Sequence, residues 1–207
     1  MSDLKLIIIK IMKTINAIII LSLLIFIGCK PNLDIEPSGA PRSVFNSPEG
    51  ALKAANAMYE NFDGEEFYGG GLMWYINASD DFVTGREDSQ AEIVRAFGAG
   101  ASTMSYLQGQ WLLRYTTITR ANAVLREVPK IAFSDQKLKN RILGEAYFLS
   151  ALMYYELAYN YGNEKAGVPL IDPQAEITGK TVPRAPNVRQ NYDSIIKWFN
   201  RVYLKIF

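Results

Sequence analysis

Apolar side chains recur every three to four residues in four stretches of this chain, and each stretch predicts a helix. In "NSPEGALKAANAMYENF" the stripe is Ala51, Ala54, Ala55, Met58, Tyr59 and Phe62, with Ser47 as N-cap, Pro48 at N1 and Glu49 in the first turn. Its small alanines let a neighbouring helix approach closely. From position 107, Trp111, Tyr115, Ile118, Ala121, Leu125 and Val128 share one face of a helix that should stop before Pro129, and this spacing makes Trp111 and Tyr115 core residues. Ser134 and Asp135 offer a cap for a third helix running to about Tyr161 and ending at Gly162. Leu138, Ile142, Ala146, Leu149 and Met153 form one of its stripes; Tyr147, Ala151, Tyr154 and Ala158 form another. Between 146 and 162 the sole charge is Glu156, so this helix should be buried between neighbours. Asn187 caps a fourth helix with Val188, Tyr192, Ile195, Phe199 and Val202 on one face, an apolar stripe with no evident partner.

The stretches between these helices behave differently. Residues 63–106, including "DGEEFYGGGLMWYINASDDFVTGREDSQ", mix glycine, acids and aromatics without a period and read as a long loop region with short elements. Loops of that length inside a domain are usually functional or disordered, and the aromatic content argues against simple disorder. A second long connection, 167–186, carries four prolines. The expected architecture is all-α, with antiparallel helix pairs of the kind that build helical solenoids and long irregular loops between them. No strict 34-residue repeat is present.

Ahead of the helices, Lys10 and Lys13 precede an apolar run, 15–27, broken only by Asn16 and Ser22. The run is short for a membrane-spanning helix, which needs roughly 20 apolar residues, and it fits the apolar region of a secretory signal. Residues 1–28 are therefore expected to be a signal peptide, with Met12 opening a well-proportioned one and 1–11 an unused upstream start. An uncleaved signal-anchor is the alternative. Residues 29–44, rich in Pro, Gly and Ser, read as a tether, and 45–207 as the helical domain.

Composition narrows the chemistry. A hydrophobic content of 49% suffices for a sizeable core, and a net charge of +1 without a polybasic stripe argues against nucleic acid as a partner. Histidine is absent, which removes Ser-His-Asp catalysis and His-ligated metal sites; a single cysteine, Cys29, forms no internal disulfide. "GGG" at positions 69–71 lacks the Lys-Ser/Thr and the strand-to-helix setting of a phosphate loop. The adjacent pair Asp80-Asp81 does not establish the cross-site spacing of glycosidase carboxylates. Glu145 lies one turn after Arg141 and reads as its ion-pair partner rather than as a general acid.

Several segments together resemble the SusD/RagB family. "FIGC" resembles a bacterial lipobox, which implies lipidation of Cys29 and cleavage before it. "NLDIEP", "FNSPEGALKAANAMYENF", "WLLRYTTITRANAVLREV", "RILGEAYFLSALMYYELAYNYGNEKAGVPLI" and "VPRAPNVRQNYDSIIK" follow in family order. The resemblance implies an all-α fold of tetratricopeptide-like helix pairs, tethered by lipid to the outer membrane and facing the exterior. It further implies capture of oligosaccharide or peptide nutrients and their transfer to a SusC-like TonB-dependent transporter, with no catalysed reaction, metal or cofactor.

Two departures stand out. Members are well over twice this length, and the "YDSIIK" helix here continues as "WFNRVYLKIF". The expectation is a truncated or frameshifted gene, native to about Lys197, with aggregation through Ile195, Phe199 and Tyr203.

Candidate ligand residues come from the non-periodic region: Trp74, Tyr75, Asn77, Asp80, Asp81 and Arg86 combine flat aromatic faces with planar polar groups suited to sugar hydroxyls. The plainer reading of the same residues is that Trp74 packs on the helices and Asp80/Asp81 cap a turn. The alternative to glycan capture is a lipid-anchored helical module that binds another protein; a periplasmic hydrolase is a third reading.

Overall fold

A short 3-10 turn, Arg42–Asn46, leads into α1 (Pro48–Ala57). The computed structural model describes residues 42–70, 76, 79–83, 89–96, 98, 100, 103–174 and 181–206. Ser47 caps α1 as its sequence predicts, with Oγ accepting the Gly50 N–H at 3.1 Å. The helix stops at Ala57, five residues before the apolar stripe does. From Met58 onward the N–H groups bond three residues back, Met58 to Ala55 and Tyr59 to Asn56 at 3.1 Å, Phe62 to Tyr59 at 3.0 Å. Arg120 of the following long helix packs on this end: its Nη1 donates to the Ala57 carbonyl at 2.8 Å and its guanidinium pairs with Glu60. The tighter turns still point Met58 inward, where it is fully buried.

After the short helix α2 (Ser89–Arg95) come the two long helices that organise the fold, α3 (Ser105–Glu127) and α4 (Gln136–Tyr161). Pro129 ends α3 through a 3-10 turn, Val128–Lys130. Asp135 caps α4, its Oδ1 accepting the N–H groups of Lys137 and Leu138 at 2.9 and 3.1 Å; Gly162 closes it. The connection is short and the helices antiparallel. Tyr161 at the end of α4 donates its hydroxyl to the Leu107 carbonyl at the start of α3, while Lys139 near the start of α4 donates to the carbonyls of Pro129 and Ile131.

Two apolar clusters fill the interior. One joins α1 to the second half of α3 and the first half of α4, with Ala51, Ala55, Ala121 and Ala146 fully buried where the backbones approach. The other gathers Phe67, Ile118, Met153, Tyr154 and Leu157 under the final helix, α5 (Val188–Ile206). Helix α5 runs antiparallel to α4, with Tyr192 near Tyr155 and Phe199 near Phe148. This corrects two sequence expectations. The α5 stripe has a partner, and Ile195, expected to be exposed, is only 3% exposed against α4. Trp198, absent from the predicted stripe, stacks on Tyr154 at 4.7 Å and 22°.

The proline-rich connection is pinned to α5 by one side chain. Asn191 is fully buried; its Oδ1 accepts the Val168 N–H and its Nδ2 donates to the Val168 carbonyl, both at 2.9 Å, as a strand partner would. Gly167 is required there because an added Cβ would lie 2.1 Å from Asn191 Oδ1. Asn187 caps α5 as predicted, accepting the Gln190 N–H at 3.2 Å. Among the described residues there is no strand, only the isolated bridges Asn163 to Ala166 and Pro169 to Arg184, so the all-α expectation holds. No described helix is long and apolar enough to cross a membrane.

Candidate functional site

Of the six ligand candidates, Asp80 and Asp81 are described. Both are exposed, in a bend after Ile76. Trp74, Tyr75, Asn77 and Arg86 lie outside the described residues, as does Cys29.

What the structure does define is the base from which that loop departs. Residues 58–70 coil through successive turns against the start of α3, where Glu66 packs on Gly109 and Gly64 meets Leu113. Phe62, Phe67 and Tyr68 form an aromatic group with centroid separations of 4.6–5.3 Å. Beneath it sits Arg114, 3% exposed. Its Nε donates to Glu156 Oε2 at 2.8 Å, its Nη1 donates to the Gln110 carbonyl at 3.0 Å, and its guanidinium lies 4.7 Å from the Phe67 ring centre. The Tyr68 hydroxyl donates to the other Glu156 oxygen. Both carboxylate oxygens are thus engaged, leaving the group to cross-link the loop base, α3 and α4 rather than to move protons.

Sequence reading missed this centre. Glu156 drew attention as the one charge in an apolar helix, and such a charge needs a partner. Nothing in the spacing named it. Gln110, Arg114 and Thr117 fall at helical intervals on what looks like a polar face of α3, yet all three are buried. Two smaller readings hold. Arg141 and Glu145 pair at 3.2 Å, and Trp111 and Tyr115 pack against the second core cluster.

Burial leaves a titration signature. The Tyr68 hydroxyl is pushed well above the usual phenol range by burial and by the Glu156 carboxylate it donates to. Tyr115, donating to the Pro169 carbonyl at 2.8 Å, and Tyr154 are raised chiefly by burial. A phenol that holds its proton more tightly when folded loses it first in the unfolded chain. Stability from these groups is therefore complete below about pH 10 and falls as pH rises beyond it. In an alkaline titration followed by tyrosinate absorbance, Tyr68, Tyr115 and Tyr154 should ionise only as helical circular dichroism collapses. Ionisation of all tyrosines while the helices stay intact would contradict this placement.

A half-open cleft of about 400 Å³ lies elsewhere, between Phe45–Pro48 and the Glu127–Ala132 turn at the far end of α3. From Gly109, beside the loop base, to Glu127 the helix rises roughly 27 Å, so the cleft and the loop base are separate places. Among the described residues no three metal-ligating side chains come together.

Comparison with known proteins agrees with the helical architecture. Residues 33–203 match a SusD-like family model described as starch-binding, associating with the outer membrane. SusD-like protein P38 of Formosa agariphila is 29% identical over 174 residues, covering 80% of this chain and 31% of that protein. SusD-like protein P2 of the same organism is 27% identical over 170 residues, covering 78% and 32%. The chain therefore spans about a third of the length of these curated relatives.

Among solved structures, a SusD superfamily protein from Bacteroides vulgatus superposes with a TM-score of 0.64 at 23% identity, covering 77% of this chain and 37% of that one. A SusD-like protein from Bacteroides fragilis gives 0.64 at 20% identity, covering 80% and 31%. These likenesses carry the fold. With the family match extending through all four long helical stretches, the chain belongs to the SusD-like family.

Proposed function

We propose that this chain is the N-terminal helical portion of a surface lipoprotein that captures oligosaccharides and passes them to a SusC-like TonB-dependent transporter. The supporting observation is the family match over residues 33–203, whose description joins starch binding to the outer membrane. In this reading residues 1–28 are a signal peptide, Cys29 carries the acyl chains, 29–44 form the tether, and the helical domain begins at 45. Two or more chains suffice for lasting attachment, since each buried CH₂ contributes about 0.8 kcal/mol. The ligand residues belong to the non-periodic loop region 63–106, with Trp74 and Tyr75 as stacking faces and Asn77, Asp80, Asp81 and Arg86 as directional groups. The Glu156–Arg114–Tyr68 cross-link fixes the base of that loop.

Carbohydrate is favoured over peptide by the family description. The test is direct. The full chain, immobilised through its lipid on liposomes, should retain maltooligosaccharides, and Trp74→Ala should weaken retention by about tenfold, or 1.4 kcal/mol. Full retention by Trp74→Ala would remove the loop from the reading. No retention of any glycan by the unaltered chain would remove capture itself.

A further inference from the structure

The two ends of the helix bundle carry opposite charge, which the order of the sequence hides. At one end the α3–α4 turn, the start of α4 and the close of α5 bring together Lys130, Lys137, Lys139, Arg141, Arg201 and Lys205. The acids there are already engaged. Glu127 lies between Arg126 and Lys130 at 2.9 and 2.7 Å, Asp135 caps α4, and Glu145 pairs with Arg141. Helix α5 carries no acid after Asp193, and Arg201 sits 5.5 Å from the centre of the Tyr147 ring of α4. At the other end, beside the start of α3, Asp63, Glu65 and Glu66 belong to a coil, 58–70, that contains no lysine or arginine. The basic residues at the start of α4 run against the helix itself. Its first turn has no acid, and Lys137 and Lys139 stand at the positive pole of the helix dipole. Lys139 is satisfied by the Pro129 and Ile131 carbonyls, whereas Lys137 is exposed and has no acidic partner among the described residues. A local rule broken without an internal gain points outward, to function.

We propose that this basic end is a membrane contact, seated on the anionic, phosphate-bearing headgroups of the leaflet that holds the acyl chains. The proposal rests on the lipid attachment at Cys29 in the reading above and adds to it the orientation of the domain. Two observations select the end that faces the surface. The chain enters the domain at Arg42–Asn46, and Phe45–Pro48 lie beside Glu127–Ala132, so the tether arrives at the basic end. Helix α4 spans 26 residues, roughly 39 Å, several times the roughly 8 Å over which exposed charges act at physiological ionic strength. An anionic surface near the tether therefore attracts the basic end while the acids of the far end lie out of its reach. Each lysine or arginine held near such a surface adds to the attraction, and a basic patch beside an acyl chain makes a two-signal anchor. A covering protein segment would instead have to bury ammonium groups, which are almost never buried unpaired. The coil 58–70 then points away from the bilayer, toward the medium from which a ligand arrives.

The test uses the full chain in vesicles. A coumarin-bearing amino acid takes the place of Ala132 at the basic end or of Glu164 just beyond the end of α4, both exposed, and headgroup-attached nitroxide lipids quench whichever comes near. In mixed phosphatidylglycerol and phosphatidylcholine vesicles, quenching at 132 should exceed that at 164 by about threefold or more. The difference should vanish in about 1 M salt, where the screening length falls to about 3 Å. Lys137→Glu with Arg201→Glu should cut the quenching at 132 by about fivefold. Lys137→Glu alone should leave the chain at least as helical as the parent, because an acid suits the first turn of α4, so weaker contact cannot be laid to unfolding. Equal quenching at the two positions would overturn the proposal, as would quenching at 132 that ignores both salt and charge reversal. Flotation separates the contact from the anchor. A chain that floats with the anionic vesicles but not with phosphatidylcholine alone keeps the basic contact and loses the acyl chains; a chain that floats with neither overturns both. Loss of glycan retention with the quenching difference intact would count only against capture.

Discussion

Replacing Glu156 with alanine is expected to cost about 3–5 kcal/mol of unfolding free energy, the loss seen when one member of a buried ion pair is removed. The size follows from what stays behind. Arg114 remains 3% exposed, with only the Gln110 carbonyl and the Phe67 ring to replace a carboxylate 2.8 Å away. Tyr68 loses the acceptor of its hydroxyl proton as well.

The paired variants separate charge from packing. Glu156→Gln keeps an acceptor for Tyr68 but removes the charge, so its loss should be intermediate, about 1–3 kcal/mol. The double change Arg114→Met with Glu156→Leu replaces the pair by apolar volume and should recover much of the single-variant loss. Urea denaturation measures all three. A Glu156→Ala loss below about 1 kcal/mol would mean that solvent reaches the pair, as it does at exposed salt bridges. Hydrogen exchange adds a local readout: amides of 62–70 should lose protection in Glu156→Ala before those of α3 and α4, because Tyr68 ties that segment to the helices.

The contrast between this centre and the helix ends shows what a sequence states openly. Ser47, Asp135, Asn187 and Gly162 act within a few residues of themselves, so their roles can be read from spacing, and each one caps or closes the helix expected of it. The Arg141–Glu145 pair is equally local. Arg114 and Glu156 are 42 residues apart, and Tyr68 and Glu156 are 88 apart. Their meeting depends on how three segments pack. A hydropathy reading also puts Gln110, Arg114 and Thr117 outside, because it assumes that polar means solvated. The end of α1 was hidden for another reason: three-residue turns carry the apolar stripe past Ala57 almost unchanged, and the arginine that meets the Ala57 carbonyl there, Arg120, comes from α3. Asn191 belongs to the same class, an amide whose partner is a backbone segment 23 residues away. For the candidate ligand residues, the structure shows Asp80 and Asp81 exposed, which the sequence alone does not state.

Tyr154→Ala should cost about 3–5 kcal/mol as well, through a different mechanism. Tyr154 is among the largest fully buried side chains, and it joins three elements at once. Its ring stacks on Trp198 of α5 and meets the edge of Tyr115 of α3 at 6.2 Å, and its hydroxyl accepts the Ile171 N–H of the proline-rich connection at 2.8 Å. Alanine leaves a cavity beneath α5 and frees that connection together. Tyr154→Phe isolates the hydrogen bond: the ring contacts persist while the Ile171 N–H loses its acceptor, for about 1–3 kcal/mol. A double-mutant cycle with Trp198→Ala measures the stacking, and a coupling of about 0.5–1.5 kcal/mol is expected. A Tyr154→Phe variant as stable as the parent would mean that water satisfies Ile171, and the connection would then be held mainly by Asn191. A coupling near zero would mean that α5 leans on α4 through Ile195 and its neighbours rather than through the stacked rings.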